Sequence, residues 1–83
     1  NIPPQVVFEI LSPGNTKKEM TRKLMFYNTY GVEEYYLYDP DRIQLEGWCR
    51  SEAGFLEDIE SMNGWISPRL NIRFELGEEL ELY

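Results

Sequence analysis

Two charged residues in apolar surroundings carry the chemistry open to this sequence. Glu9 interrupts the run Val6-Val7-Phe8-Glu9-Ile10-Leu11, and Lys23 stands between Met20 and Tyr27. An ionised carboxylate in such a run is costly unless it is paired, hydrogen-bonded or bound to a metal. The chain has no histidine. That removes His-based zinc sites, Ser-His-Asp triads and Cys-His pairs, and leaves carboxylates, lysine, hydroxyls or a hard metal. A carboxylate is a ligand for Mg²⁺. A lysine beside it can stabilise charge developing on a phosphate or orient the attacking water. Perturbed ionisable pairs concentrate at functional sites. The structural alternative is an ion pair that merely ties helix to strand, although such pairs often do not repay their desolvation.

These two residues can serve one site only if local structure brings them together. Gln5 to Leu11 is predicted to be a strand bounded by Pro3, Pro4 and Pro13, buried on both faces. Gln5, Val7, Glu9 and Leu11 share one face, and Val6, Phe8 and Ile10 the other. Pro3-Pro4 holds the chain extended on the way in. Ser12-Pro13-Gly14-Asn15 reads as a turn. Thr16 and Glu19 form a capping box and Gly31 suits a C′ position, which predicts a helix over Lys17 to Tyr30. At 100° per residue Met20, Lys23, Tyr27 and Tyr30 form one stripe with Leu24 beside it, so Lys23 is expected to face the sheet. Lys17 and Lys18 oppose the helix dipole.

Glu34 to Asp39, rich in aromatics, is the next predicted strand. Strand, helix and strand make a βαβ unit with parallel strands and a right-handed crossover. If the helix packs on the Glu9 face, Lys23 approaches Glu9. Tyr27, Tyr30, Tyr35, Tyr36 and Tyr38 are expected between helix and sheet. Ile43 to Cys49 and Phe55 to Ile59 read as antiparallel strands. Asn71 to Leu76 and Glu79 to Tyr83 form a hairpin around Gly77, whose acidic residues face solvent.

The 83 residues allow one small domain, and 42% apolar content excludes disorder. Asn1 is not an initiator methionine and the chain opens almost directly into a core strand, so a fragment of a longer protein is expected. The net charge of −7 argues against a nonspecific nucleic-acid surface but not against a metal-dependent site. No apolar run suits a membrane span and no signal peptide is visible, so no membrane partner is expected. Cys49, alone, fits a reducing and hence cytoplasmic setting; it reads as a half-buried strand residue rather than a metal ligand. Trp48 and Trp65 read as packing residues rather than base-stacking ones.

The pattern Pro3-Pro4-x-Val6-Val7-x-Glu9-x-Leu11-Ser12-Pro13, followed by Lys23-Leu24-x-x-Tyr27, Gly31-Val32-x-Glu34-Tyr35-Tyr36 and Asp39-Pro40, resembles the bacterial Uma family of predicted endonucleases. The resemblance implies an α/β fold, the C-terminal part of a restriction-endonuclease-like PD-(D/E)XK core, with the N-terminal helix and first strands outside this chain. It implies that Glu9 is the acidic residue of the (D/E)XK element, that Lys23 on the helix replaces that element's lysine (Leu11 stands at the usual position), and that the Ile10 backbone carbonyl contacts the metal. Ser12 would sit at the mouth. The family's second carboxylate, an Asp on the preceding strand, would also lie outside. The implied cofactor is Mg²⁺ or Mn²⁺ and the implied partner is DNA, cleaved at its phosphodiester bonds. The alternative function is a catalytically inactive nuclease-fold module for binding or assembly. A homodimer through an exposed strand is compatible with either.

Overall fold

The computed structural model describes residues 4–83; Pro3 and the residues before it, part of the expected proline-rich start, lie outside the described residues. Strands β1 (Val6–Ile10), β2 (Glu34–Asp39), β3 (Gln44–Arg50) and β4 (Leu56–Asp58) form one mixed sheet in that order. β1 and β2 are parallel and joined through α1 (Lys17–Tyr30), while β2–β3 and β3–β4 are antiparallel. β5 (Phe74–Leu76) and β6 (Leu80–Leu82) make the expected terminal hairpin as a separate sheet. β3 starts one residue later than the alternation suggests, because Ile43 takes a left-handed φ of 52° and turns the chain first.

The ends of α1 are chemically encoded. The Thr16 hydroxyl accepts the Glu19 N–H at 3.2 Å, and Gly31, at φ 82°, closes the helix with its own N–H on the Tyr27 carbonyl. The last turn carries no cation of its own. Arg50 of β3 supplies one, donating to the carbonyls of Asn28 at 2.9 Å, Val32 at 2.9 Å and Gly54 at 2.5 Å. The Asn28 side chain in turn accepts the Leu56 N–H at 2.9 Å. A guanidinium that satisfies the orphaned Asn28 carbonyl at the helix end together with two loop carbonyls is worth more than a surface ion pair. Arg50→Met is therefore expected to cost about 2–3 kcal/mol, read as a shift of the urea unfolding midpoint.

The register sorts side chains onto two faces. Val7, Glu9, Tyr35, Leu37, Glu46 and Trp48 share the α1 face. Val6, Phe8, Glu34, Tyr36, Tyr38, Leu45 and Gly47 share the other, which the C-terminal segment covers. There Tyr36 and Phe74 are fully buried, with rings 4.7 Å apart, beside Met62. Gly47 is needed for this contact. A Cβ at that position would meet Met62 Sδ at 2.6 Å and Tyr36 Cδ1 at 2.9 Å. Gly47→Ala is expected to cost about 1–3 kcal/mol through overpacking, visible as a lower melting temperature.

Three expectations need correction. β1 is not buried on both faces: Phe8 is 38% and Ile10 59% exposed. β1 has a neighbour on one side only among the described residues, whereas β2, flanked on both, is buried from Glu34 to Tyr38. Tyr30 is exposed rather than packed on the sheet, and no residue of α1 is fully buried. Only Tyr27 and Tyr35 stand between helix and sheet, because strand alternation sends Tyr36 and Tyr38 to the far face.

Candidate active site

Glu9 projects from β1 toward α1, and the Lys23 ammonium meets its Oε2 at 2.5 Å. The pair expected from strand alternation and helix register is thus formed. It is not sealed: the Glu9 side chain is 18% exposed but that of Lys23 is 44% exposed. Lys23 lies on the flank of the helix stripe, so its ammonium remains within reach of a ligand. Burial pushes the Glu9 carboxyl upward. Lys23, with the hydroxyls of Tyr27 and Tyr35 standing by, outweighs that and holds it below its ordinary 4.5. The same contact raises Lys23 above its ordinary 10.5, against the effect of burial.

A folded-state carboxyl pKa below the unfolded one adds stability at pH values above 4.5, and the gain is lost as pH falls through the lower, folded value. The raised Lys23 adds stability below 10.5 that is lost as pH rises through its folded value. The stability difference between wild type and Glu9→Gln should therefore shrink as denaturant titrations are taken below pH 4.5.

Two buried atoms next to this pair lack partners. Neither Glu9 Oε1 nor Tyr35 Oη makes a hydrogen bond of good geometry. Tyr35 is fully buried, its ring between Tyr27 at 4.8 Å and Trp48 at 5.2 Å. Burial and then the Glu9 charge raise its phenol strongly, so it stays protonated and can only be a donor toward the carboxylate. Tyr27 is raised by burial and by Glu9 in the same way.

Ile10 takes its position from the ladder. The Leu11 N–H donates to the Tyr38 carbonyl at 2.7 Å. In a trans peptide the Ile10 carbonyl points the opposite way, away from β2 and into the open edge of β1. Ser12 does not open toward the pair; its hydroxyl donates to Asn15 Oδ1 at 2.9 Å within the turn. Among the described residues no group of three or more His, Cys, Asp or Glu side chains is placed to hold a metal. Glu46 shares the Glu9 face but stands two strands away, with Leu37 between them. These residues offer a hard metal one carboxylate oxygen and one main-chain carbonyl, half of a site at most. That is compatible with an ion that keeps several waters and takes phosphate oxygens from its substrate. A groove of about 550 Å³ opens on the other flank of α1, floored by Leu37 and Trp48 and rimmed by Lys17, Asp39 and Arg42; Glu9 and Lys23 line no part of it.

The sequence does not single out Glu34, a buried carboxylate that serves the fold. Its Oε1 accepts from the Tyr36 hydroxyl at 2.6 Å and from the Ser67 hydroxyl, and its Oε2 accepts the Arg69 N–H at 2.8 Å. Trp65 Nε1 donates to the Tyr36 hydroxyl at 2.9 Å, which gives that indole its packing role. Cys49 lies on β3, half-buried, with its thiol pushed up by burial and by Glu34 and Glu33, so it is not primed as a nucleophile.

A family model described as Uma2, "Putative restriction endonuclease", matches residues 1–79. No curated protein matches the chain.

Proposed function

Because the chain belongs to the Uma2 family of restriction-endonuclease-like proteins, we propose that it contributes the Glu9–Lys23 half of a divalent-metal-dependent site that hydrolyses DNA phosphodiester bonds. The four-stranded mixed sheet with one helix is compatible with a restriction-endonuclease-like fold. The observation that carries the reading is the Glu9–Lys23 contact, in which one carboxylate oxygen is engaged and the other is buried without a partner. The Lys23 ammonium meanwhile stays nearly half exposed, within reach of a ligand.

Glu9 Oε1 and the Ile10 carbonyl would hold Mg²⁺ or Mn²⁺, which when bound supplies Lewis-acid polarisation of a phosphate and a more acidic water. Glu9 is kept ionised at neutral pH by Lys23 and the two tyrosines. Lys23, half in solvent, presents an ammonium to the non-bridging oxygens on which charge accumulates. Tyr35 holds its proton, so its hydroxyl can present only a donor toward the carboxylate. The test is nicking of supercoiled plasmid by the intact protein with added Mg²⁺ or Mn²⁺. Cleavage that disappears in Glu9→Gln supports the proposal, and cleavage that persists overturns it.

A second reading, an inactive module for binding or assembly, draws on the lack, among the described residues, of any group of three or more side chains placed to hold a metal. It predicts no Mn²⁺ binding by calorimetry. It also predicts that Glu9→Leu combined with Lys23→Leu leaves stability unchanged or improved.

A further inference from the structure

The charge of this chain is unevenly placed. Four of its eight cationic residues (Lys17, Lys18, Arg22 and Lys23) stand on α1 against one carboxylate, Glu19. The helix thus carries +3 in a chain of −7. Glu19 is turned back toward the cap, within 3.3 Å of Asn15 Nδ2. Among the described residues no carboxylate lies in ion-pair range of Lys17, Lys18 or Arg22. Helix stability does not account for them either, since Lys17 and Lys18 oppose the macrodipole.

Along the same face the cations give way to aromatics. Lys18, Arg22, Phe26 and Tyr30 follow each other at i, i+4 steps, each turning about 40° toward the Lys23 flank and together spanning about 18 Å. Phe26 and Tyr30 are both more than half exposed, and their ring centroids are 4.4 Å apart. Apolar rings left in water beside unpaired cations form a surface without a partner.

We infer that this outer face of α1 is a docking surface for single-stranded nucleic acid, with Lys18 and Arg22 on phosphates and the Phe26–Tyr30 pair under an unstacked base. The choice of polyanion rests on the nuclease reading above. The layout selects the form of that polyanion, because exposed ring faces engage unpaired bases, which a duplex hides. A lipid-surface helix needs an apolar stripe along its whole length. On α1 the charged and aromatic residues are instead segregated end to end. The stripe ends at Tyr30, on the Lys23 side of α1 but about 10 Å further along its axis.

The test is fluorescence anisotropy of a labelled oligothymidylate with the intact protein in EDTA, across a salt series, with circular dichroism confirming the fold of each variant. Lys18→Glu combined with Arg22→Glu should weaken binding by more than tenfold. It should also flatten the log K against log salt slope by about 1.4, since each released phosphate contact contributes about 0.7. Phe26→Ala combined with Tyr30→Ala should weaken binding about fivefold to 150-fold with the slope unchanged. Unchanged affinity in either folded double variant overturns the inference. So does α1-dependent binding to phosphatidylglycerol vesicles without binding to the oligonucleotide. Metal-free binding is separate from cleavage. Plasmid cleavage without α1-dependent binding overturns the surface and spares the nuclease reading, while α1-dependent binding by a protein that never cleaves does the reverse.

Discussion

Glu9→Gln is expected to lower metal-dependent cleavage by the intact protein on the order of 10³-fold, with the fold retained. Glutamine keeps the shape of glutamate and can still meet Lys23. It presents a neutral carbonyl or an N–H where the orphaned Oε1 stands, and a hard cation discriminates strongly against that exchange. Lys23→Ala is expected to cost about 10²-fold or more in rate while leaving Mn²⁺ binding in place, because it removes the phosphate-facing charge rather than the ligand. The two variants therefore separate by assay: Glu9→Gln loses both calorimetric metal binding and cleavage, and Lys23→Ala loses cleavage alone. Equal loss of metal binding in both would mean that the pair acts as a structural unit, and retained cleavage in Glu9→Gln would remove the proposed site altogether.

The largest expected effect on stability lies on the opposite face of the sheet. Glu34→Ala should destabilise the protein by about 3–5 kcal/mol, measured as the urea midpoint relative to wild type. The substitution strips partners from the Tyr36 hydroxyl, the Ser67 hydroxyl and the Arg69 N–H at once, with Tyr36 and Ser67 fully buried. Each unsatisfied buried group costs about 1–3 kcal/mol. An 83-residue domain has a total stability of only about 4–12 kcal/mol, so a large share of the fold depends on one carboxylate. Tyr36→Phe removes one donor to Glu34 and the acceptor of Trp65, and should cost a smaller part of the same amount, about 1–3 kcal/mol. A full-size loss in Tyr36→Phe, or a negligible one in Glu34→Ala, would show that the network does not hold the C-terminal segment on the sheet.

The site and the scaffold thus lie on opposite faces, which bears on what each kind of variant reports. Glu9 and Lys23 stand on the α1 face of β1, where substitutions act mainly on chemistry. Glu34, Tyr36 and Gly47 stand on the far face, where they act on packing against Met62, Phe74 and Trp65. A variant of the first set that loses activity without losing stability is informative in a way that no variant of the second set can be.

What the sequence by itself determined is the local structure and one non-local pair. Thr16, Glu19 and Gly31 set both ends of α1 through contacts within four residues. The alternation around Glu9 and the helical period through Lys23 were enough to point the two side chains at each other, because periodicity decides facing once a parallel βαβ unit is formed. Only the tertiary structure decided which strand is interior, since an apolar run such as Val6–Ile10 looks the same whether it has one neighbour or two. The partners of Glu34 are 33 and 35 residues away at Ser67 and Arg69, and Arg50 reaches back 22 residues to Asn28. No spacing rule links such residues. Buried polar groups take whatever donors and acceptors packing brings to them, and that is settled only when the C-terminal segment closes over the sheet.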